Sequence, residues 1–378
     1  MKRALPLLLL SLIFGCAALR LSHLPRPSAN DWIMYGKDAS HTHYVPSSSF
    51  AFPMNIAWQY DASAGFGAGA MSVVDGTLLV GTLQGELHAV NAVTGKRLGY
   101  RKFSAPISGS PFVFEDYVYF GLEAGKESFL AFDLTVNKTI WSSTLGGIAA
   151  SPVVYDGKIF VATLAGNVHC LVPLSGEEIW KFGAGGAIHS SPVVVDSTVV
   201  FGNDNGVIYG LNIRTGTLVW QYQTGAAIFG GASAAGGLVF IGSRDHFLYA
   251  LDVRKGSLVW KYDAGDRIVS CPSVNDSTVF ITALNGSLTA LRQHNGAVLW
   301  KFQTSSALNT TAVVTRSALF LASLNTELYA LSPSDGSVLW KHKFENRVKT
   351  SPVVWNNSLY IGAEDRLIYC FRSAGSNP

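Results

Sequence analysis

Cysteine, histidine and acidic side chains are the groups in this 378-residue chain that could bind a metal or catalyse a reaction. The chain has no Cys-x-x-Cys and no His-x-x-x-His pair, spacings that are typical of redox dithiols and zinc sites. Cys170, Cys271 and Cys370 are far apart, so we interpret them as small apolar strand residues and not as a disulfide framework. Four acidic residues fall in turns and are interpreted as solvated carboxylates: Asp204, Asp245, Glu364 and Asp365. These patterns predict no metal site and no catalytic residues.

A second set of side chains is suited to binding a partner. When the repeats described below are aligned on their Ser-Pro-Val-Val segments, the position two residues before the serine is large or polar in half of the copies. We predict that these residues and two nearby arginines form a partner-binding surface at the mouth of a central channel: His189, Phe229, Arg267, Asn309, Arg347 and Lys349. Clustered aromatic and charged side chains are typical of protein contacts. The alternative, that they are solvated loop residues, stays open.

Aromatic residues recur about every 40 residues along the chain, a period typical of propeller repeats. This repeat predicts the elements that would position the candidate site residues. Within each copy, short runs of β-branched and aromatic residues are bounded by Asp, Asn and Gly, a pattern that favours strands over helices. Each copy therefore predicts four short strands. We interpret the aromatic residue of the fourth strand as a structural anchor between neighbouring repeats: Trp58, Tyr100, Trp141, Trp180, Trp220, Trp260, Trp300 and Trp340.

The two ends of the repeat region are complementary. The last copy, from Ser351 to Phe371, stops after three strands, whereas the segment Asn55–Tyr60 carries the fourth-strand pattern with nothing before it. Pairing the two would complete an eighth blade and leave no open sheet edge between the termini. The predicted fold is therefore all-β, an eight-bladed β-propeller of four-stranded antiparallel blades, over residues 31–372, with a tail at 373–378.

Composition agrees with a single domain of this kind. Apolar residues make up 48% of the chain and charged residues only 14%, which suits sheets that pack face to face. The formal net charge of +3 is small, and the basic residues are scattered. We therefore expect no nucleic-acid partner and a monomeric protein.

The N-terminus carries an export pattern. Lys2 and Arg3 precede an apolar run that is too short to span a membrane as a helix. The run ends at Gly15-Cys16, which resembles the lipobox of bacterial lipoproteins, in which the cysteine is lipidated. We predict a signal peptide at 1–16, lipidation at Cys16, a tether at 17–30, and anchoring in the cell envelope, at the outer membrane facing the periplasm if the organism is Gram-negative. Cleavage near Ala17 without lipidation is the alternative.

The repeat Ala250-Leu251-Asp252 followed by Gly256 and Trp260 resembles the pyrroloquinoline-quinone (PQQ) type propeller repeat, and the resemblance covers most of the chain. The opening from Asp31 to Tyr44 resembles the lead-in that precedes the first blade in that family. The resemblance implies that the tryptophans dock against neighbouring blades.

Two functional classes share this repeat. One class is the quinone-dependent dehydrogenases, for which the resemblance would imply PQQ and calcium as cofactors. We expect neither cofactor here, because a vicinal cysteine pair and a spare channel tryptophan are missing from the sequence. The other is the BamB-like outer-membrane assembly lipoproteins, for which it implies a non-catalytic scaffold that binds an envelope partner such as a β-barrel assembly machinery. We favour the second class, although the acidic stretch that follows the partner-binding arginine in that family is absent after Arg267.

Overall fold

The runs of β-branched and aromatic residues form strands joined by tight turns in the computed structural model, which describes residues 19–375. Within that range there are 33 strands and no helix, and consequently no helical segment that could cross a membrane. The signal peptide predicted at 1–16 and Cys16 lie outside the described residues. The predicted strand class is confirmed.

Eight four-stranded antiparallel sheets are arranged as blades, numbered here in chain order. The strands of blades 1 to 4 are Met71–Val74, Thr77–Gly81, Glu86–Asn91 and Arg97–Lys102; Phe112–Phe114, Tyr117–Gly121, Phe129–Asp133 and Lys138–Ser143; Val153–Tyr155, Lys158–Ala162, Asn167–Leu171 and Glu178–Gly183; Val193–Val195, Thr198–Gly202, Val207–Asn212 and Leu218–Gln223. The strands of blades 5 to 7 are Ser233–Ala235, Leu238–Gly242, Phe247–Asp252 and Leu258–Asp263; Ser273–Val274, Thr278–Thr282, Ser287–Arg292 and Val298–Gln303; Val313–Thr315, Leu319–Ala322, Glu327–Leu331 and Val338–Lys343.

Blade 8 closes the ring as predicted. Its first three strands are Val353–Trp355, Ser358–Gly362 and Leu367–Ser373, and its fourth is the N-terminal strand Met54–Asp61. That strand pairs antiparallel with Leu367–Ser373, with Tyr60 opposite Ile368. The eight-bladed propeller and its closure by an N-terminal strand are therefore confirmed.

The fourth strand of each blade carries a β-bulge, which in seven of the eight blades turns a tryptophan toward the neighbouring blade. In blade 5 the register jumps between the pairs Ala250–Trp260 and Leu251–Leu258, so Leu258 and Val259 remain exposed while Trp260 is buried. The indole N–H donates a hydrogen bond to a backbone carbonyl of the next blade, 2.7 Å from Trp260 Nε1 to the Gln293 oxygen. Equivalent bonds are made by five other tryptophans: Trp58, Trp141, Trp180, Trp220 and Trp300.

The two remaining predicted anchors differ from this pattern. Trp340 stacks on Phe52, 6.4 Å between ring centroids, in the segment that leads into the closing strand. In blade 1 the residue opposite Ala89, which is equivalent to Ala250 of blade 5, is Gly99, and Tyr100 lies opposite His88 on the other face of the strand. Tyr100 stacks on the His88 ring at 5.3 Å. The prediction of an anchor at Tyr100 is therefore corrected, because the bulge register and not the aromatic spacing decides which side chain faces the next blade.

The lead-in segment closes one end of the channel. Trp32 forms an antiparallel bridge with Val73 of blade 1, and the segment Tyr44–Val45 adds a parallel strand to blade 7. Between them, backbone carbonyls of the lead-in accept hydrogen bonds from the first strands of blades 4 to 7, for example Val194 N to Ala39 O at 2.8 Å. The lead-in therefore lies across the end of the channel that is opposite the mouth, where the first strands begin.

Candidate functional site

Hydroxyl groups hold the first strands together at the channel mouth. In blades 3 and 4 the serine of the Ser-Pro pair accepts a hydrogen bond from the backbone of the preceding blade: Ser110 N to Ser151 Oγ and Ser151 N to Ser191 Oγ are both 2.9 Å. Thr311 N donates to Ser351 Oγ at 3.0 Å in the same way. These bonds satisfy backbone groups that the short first strands leave unpaired. They fix the position of the residue two places upstream, which carries the predicted site side chains.

Three of the six predicted site residues line one central cavity of about 150 Å³: His189, Phe229 and Asn309. Most of the other lining residues are small, such as Gly69, Ser108 and Ala149, and the Tyr35 ring of the lead-in also borders the cavity. The Tyr35 hydroxyl lies 3.3 Å from Thr311 Oγ1, and burial raises the pKa of Tyr35 well above its ordinary value. The Tyr35 side chain is therefore neutral and forms the floor of the cavity.

His189 and Phe229 belong to a cluster that spans blades 4 and 5. His189 Nδ1 lies 3.0 Å from Asp204 Oδ1, and the His189 ring packs edge-on against Phe229 with centroids 4.9 Å apart. The Arg244 guanidinium lies 4.9 Å from the centroid of the Phe229 ring. We refer to Asp204, His189, Phe229 and Arg244 as the mouth cluster. It offers one acid, one base, one aromatic face and one cation within a short arc of the mouth.

The mouth cluster remains open to solvent. The side chains of His189 and Asp204 are 38% and 32% exposed, and such exposed pairs contribute only about 0–1 kcal/mol to stability. Asn309, which lines the same cavity two blades after Phe229, has a buried amide oxygen without a hydrogen-bond partner among residues 19–375. A bound hydrogen-bond donor would satisfy that acceptor.

The structure places the other three predicted residues elsewhere. Lys349 lines a neighbouring cavity of about 360 Å³ together with Phe66 and Leu83, and its ammonium pairs with the carboxylate of Glu364. Arg267 is exposed, with its Nε 3.6 Å from Oδ1 of the adjacent Asp266. Arg347 is exposed on the rim of blade 8. The six residues therefore divide between the central cavity and the rim, and the charges of Lys349 and Arg267 are partly offset.

The side chains that pair with these mouth residues are not among the residues predicted from the sequence. The residue 15 positions after the mouth residue, in the loop between the second and third strands, reaches back to it in several blades. The pairs are Ser108 with Glu123, His189 with Asp204, Phe229 with Arg244, and Lys349 with Glu364. The regular spacing is visible in the sequence once the first strands are aligned, so it could have identified Arg244. Asp204 and Glu364 had been interpreted as solvated carboxylates, and the structure gives each a charged or basic neighbour.

The donors around the cavity determine which cofactors could be held there. Within residues 19–375, no group of three or more His, Cys, Asp or Glu side chains is arranged to hold a metal ion. The central cavity is smaller than the roughly 300–1,000 Å³ of most small-molecule sites. Among the described residues that line this cavity there is no Asp or Glu that could hold calcium beside a quinone.

The family model described as outer membrane protein assembly factor BamB matches this chain over residues 55–142, 126–235, 225–319 and 305–375. The matched segments cover all eight blades, from the closing strand to the end of the last hairpin.

Two curated relatives belong to different functional classes. A 1-butanol dehydrogenase (cytochrome c) from Thauera butanivorans is 25% identical over 174 residues, 45% of this chain and 21% of the dehydrogenase. An outer membrane protein assembly factor BamB from Kangiella koreensis is 25% identical over 126 residues, 30% of this chain and 31% of that protein. The aligned regions thus span less than a third of either relative.

Solved structures give the same two classes and support the fold. BamB from Moraxella catarrhalis superimposes with a TM-score of 0.74 at 16% identity, covering 85% of this chain and 100% of that one. A quinohemoprotein alcohol dehydrogenase from Pseudomonas putida HK5 superimposes with a TM-score of 0.80 at 16% identity, covering 93% and 81%.

Proposed function

Because the chain belongs to the propeller family described as outer membrane protein assembly factor BamB, we propose that it is a non-catalytic scaffold of the cell envelope that holds a partner protein at the channel mouth. The observation that carries this proposal is the mouth cluster, in which His189, Phe229 and Arg244 are positioned by one another and remain accessible to a partner. The partner is an envelope protein, in the first place a component of a β-barrel assembly machinery.

The chemistry of the mouth fits an extended protein segment. Phe229 supplies an aromatic contact, and Arg244 supplies a cation beside it, a combination that is common at protein interfaces. In the same cavity, the unpaired amide oxygen of Asn309 suits a backbone N–H of such a segment. Because the lead-in lies across the far end, a segment would enter and leave by the mouth.

The proposed location follows from the N-terminal sequence and the family. The family description places its members in outer-membrane assembly, and Cys16 ends an export pattern that resembles a lipobox. We propose that the chain is exported, lipidated at Cys16 and held at the inner surface of the outer membrane.

A pull-down from solubilised envelope tests the scaffold. The wild type is compared with the variants Phe229→Ala, Arg244→Glu and Arg267→Glu. Arg254→Glu is the matched control, because Arg254 lies in the same blade as Arg244 but in a turn at the opposite end of the strands. We expect the first two variants to lose most of the recovered partner, Arg267→Glu to lose part of it, and Arg254→Glu to recover it fully. Equal recovery by wild type and the mouth-cluster variants would remove the mouth from consideration.

An oxidoreductase that binds a small ligand or quinone is the second candidate, and the similarity to the 1-butanol dehydrogenase favours it. It is tested by the absorption spectrum and by dye-linked alcohol oxidation of the purified protein after incubation with PQQ and calcium. Quinone-dependent oxidation that saturates with added PQQ would replace the scaffold proposal.

A further inference from the structure

One joint of the propeller lacks its tryptophan. At the joint between blades 1 and 2, Gly99 occupies the anchor position opposite Ala89. The receiving position is changed as well. At most joints the next blade places a glycine against the indole, as Gly256 lies against Trp220. Blade 2 has Asn137 at this position, also with a positive φ of 55°. Both halves of the usual contact are therefore absent at this joint.

The first described residues lie in this joint. Leu19 is fully buried, in the same hydrophobic cluster as Ala89, Phe132 and Leu134. The Leu21 N–H donates to the Leu134 carbonyl at 2.8 Å.

The bond to Leu134 repeats a bond that the indole N–H makes at six other joints. At the joint between blades 4 and 5, the Trp220 indole N–H donates to the Val253 carbonyl, which lies three residues before Gly256. The Leu134 carbonyl is in the equivalent place, three residues before Asn137. A second contact follows, because Arg20 Nε donates to the Thr135 carbonyl at 3.0 Å.

We propose that residues 19–21, here named the N-terminal latch, replace the missing tryptophan of blade 1. Leu19 takes the apolar role of the indole ring, and the Leu21 N–H takes the role of the indole N–H. This differs from the tether predicted at 17–30, since the latch is part of the propeller core. The chain leading into the propeller is consequently fixed at one joint.

The latch also fixes which face of the propeller is nearest the N-terminus. The first strands begin at the mouth, so the turns between third and fourth strands, including Asp133–Lys138, lie on the opposite face. If Cys16 is lipidated, as proposed above, only two residues separate it from Leu19, so the two Cα atoms are at most about 11 Å apart. The turn face would then be held toward the membrane, with the mouth cluster pointing away from it. This orientation rests on the proposed function; the latch itself does not.

The latch is tested by thermal unfolding of the full-length protein in detergent. Leu19→Ala should lower the melting temperature by roughly 3–5 °C because it empties a buried site. The matched control Val136→Ala, in the adjacent turn and 53% exposed, should change it by less than about 1 °C. Installing the usual contact with Gly99→Trp and Asn137→Gly should make Leu19→Ala almost neutral. A full penalty in that background, or no penalty in the wild-type background, would overturn the proposal.

Hydrogen exchange supplies a measurement that does not depend on the repaired variant folding. The Leu21 amide should exchange at least about 100-fold more slowly than an unstructured amide, and Leu19→Ala should abolish that protection. Rapid exchange at Leu21 in the wild type would exclude the latch. A chain that shows protection but incorporates no palmitate at Cys16 would keep the latch and lose the membrane orientation.

Discussion

Two histidines beneath the channel floor are neutral in the folded protein. His41 and His43 are both buried, and the Tyr35 ring packs edge-on against each, at 5.2 and 5.0 Å. Burial lowers the pKa of His41 from 6.5 to about 4. Burial also lowers the pKa of His43, and the neighbouring His41 lowers it further. Neither nitrogen of His43 has a hydrogen-bond partner among the described residues, so the fold provides nothing to stabilise its protonated form.

These shifts predict a loss of stability in acid. Because the folded-state pKa values lie below the ordinary value, the unfolded chain takes up protons first as the pH falls. The stabilisation is complete above about pH 6.5 and decreases as the pH approaches 4. His41 alone accounts for roughly 3 kcal/mol at the acid end. Urea unfolding at about pH 7.5 and pH 4.5 measures the difference in the free energy of unfolding.

His43→Phe is the informative variant for this prediction. It retains an aromatic ring, removes one titrating group and breaks no hydrogen bond made by the His43 ring. We expect the difference in unfolding free energy between the two pH values to become smaller than in the wild type. The same difference in both proteins would show that His43 does not contribute.

At the scale of the elements, the fourth strand decides how blades are joined. The ring of Trp260 is buried and its N–H is bonded to the next blade, whereas Tyr100 is partly exposed and stacks within its own blade. Trp260→Ala should therefore cost about 3–5 kcal/mol of unfolding free energy. Tyr100→Ala should cost less than half of that. Parallel denaturant titrations of the two variants compare them, and equal losses would contradict the distinction drawn here.

The sequence predicts most of these elements because the repeat is regular. Turn residues and the period locate four strands in each copy, and the incomplete last copy predicts the ring closure. Blade 1 is the exception, since its bulge has the same register as in blade 5 but its aromatic residue, Tyr100, lies one position after the anchor site, which Gly99 occupies. Spacing alone does not show on which side of a bulge a side chain emerges.

The mouth was only partly predictable for a related reason. Alignment of the first strands identifies His189, Phe229 and Asn309 as neighbours across the channel. The side chains that contact these residues lie in the loops between the second and third strands. Arg244, which contacts Phe229, is therefore not identified until the spacing of 15 residues is considered. Lys349 occupies a mouth position in the alignment, yet its side chain lines a neighbouring cavity and pairs with Glu364.

At the scale of the whole molecule, the two faces of the propeller are built differently. The lead-in covers the far end through backbone hydrogen bonds to the first strands of several blades. Backbone pairing of this kind is not tied to particular side chains, which is why the sequence predicts a lead-in but not its path. The mouth remains the accessible face, and the latch joins the N-terminal chain to the opposite side.

The cysteines allow the predicted attachment to be tested on the intact protein. Burial raises the pKa of Cys170, Cys271 and Cys370 to about 12, so these thiols are neutral and inaccessible to acylation or alkylation. Labelled palmitate should therefore be incorporated by the wild type and by Cys170→Ser, and not by Cys16→Ser. The native protein from membranes should take up no maleimide, and the denatured protein should take up three equivalents, one for each buried thiol. Label retained in Cys16→Ser would contradict the predicted site, and a fourth maleimide adduct in the denatured protein would show that Cys16 is still present as a free thiol.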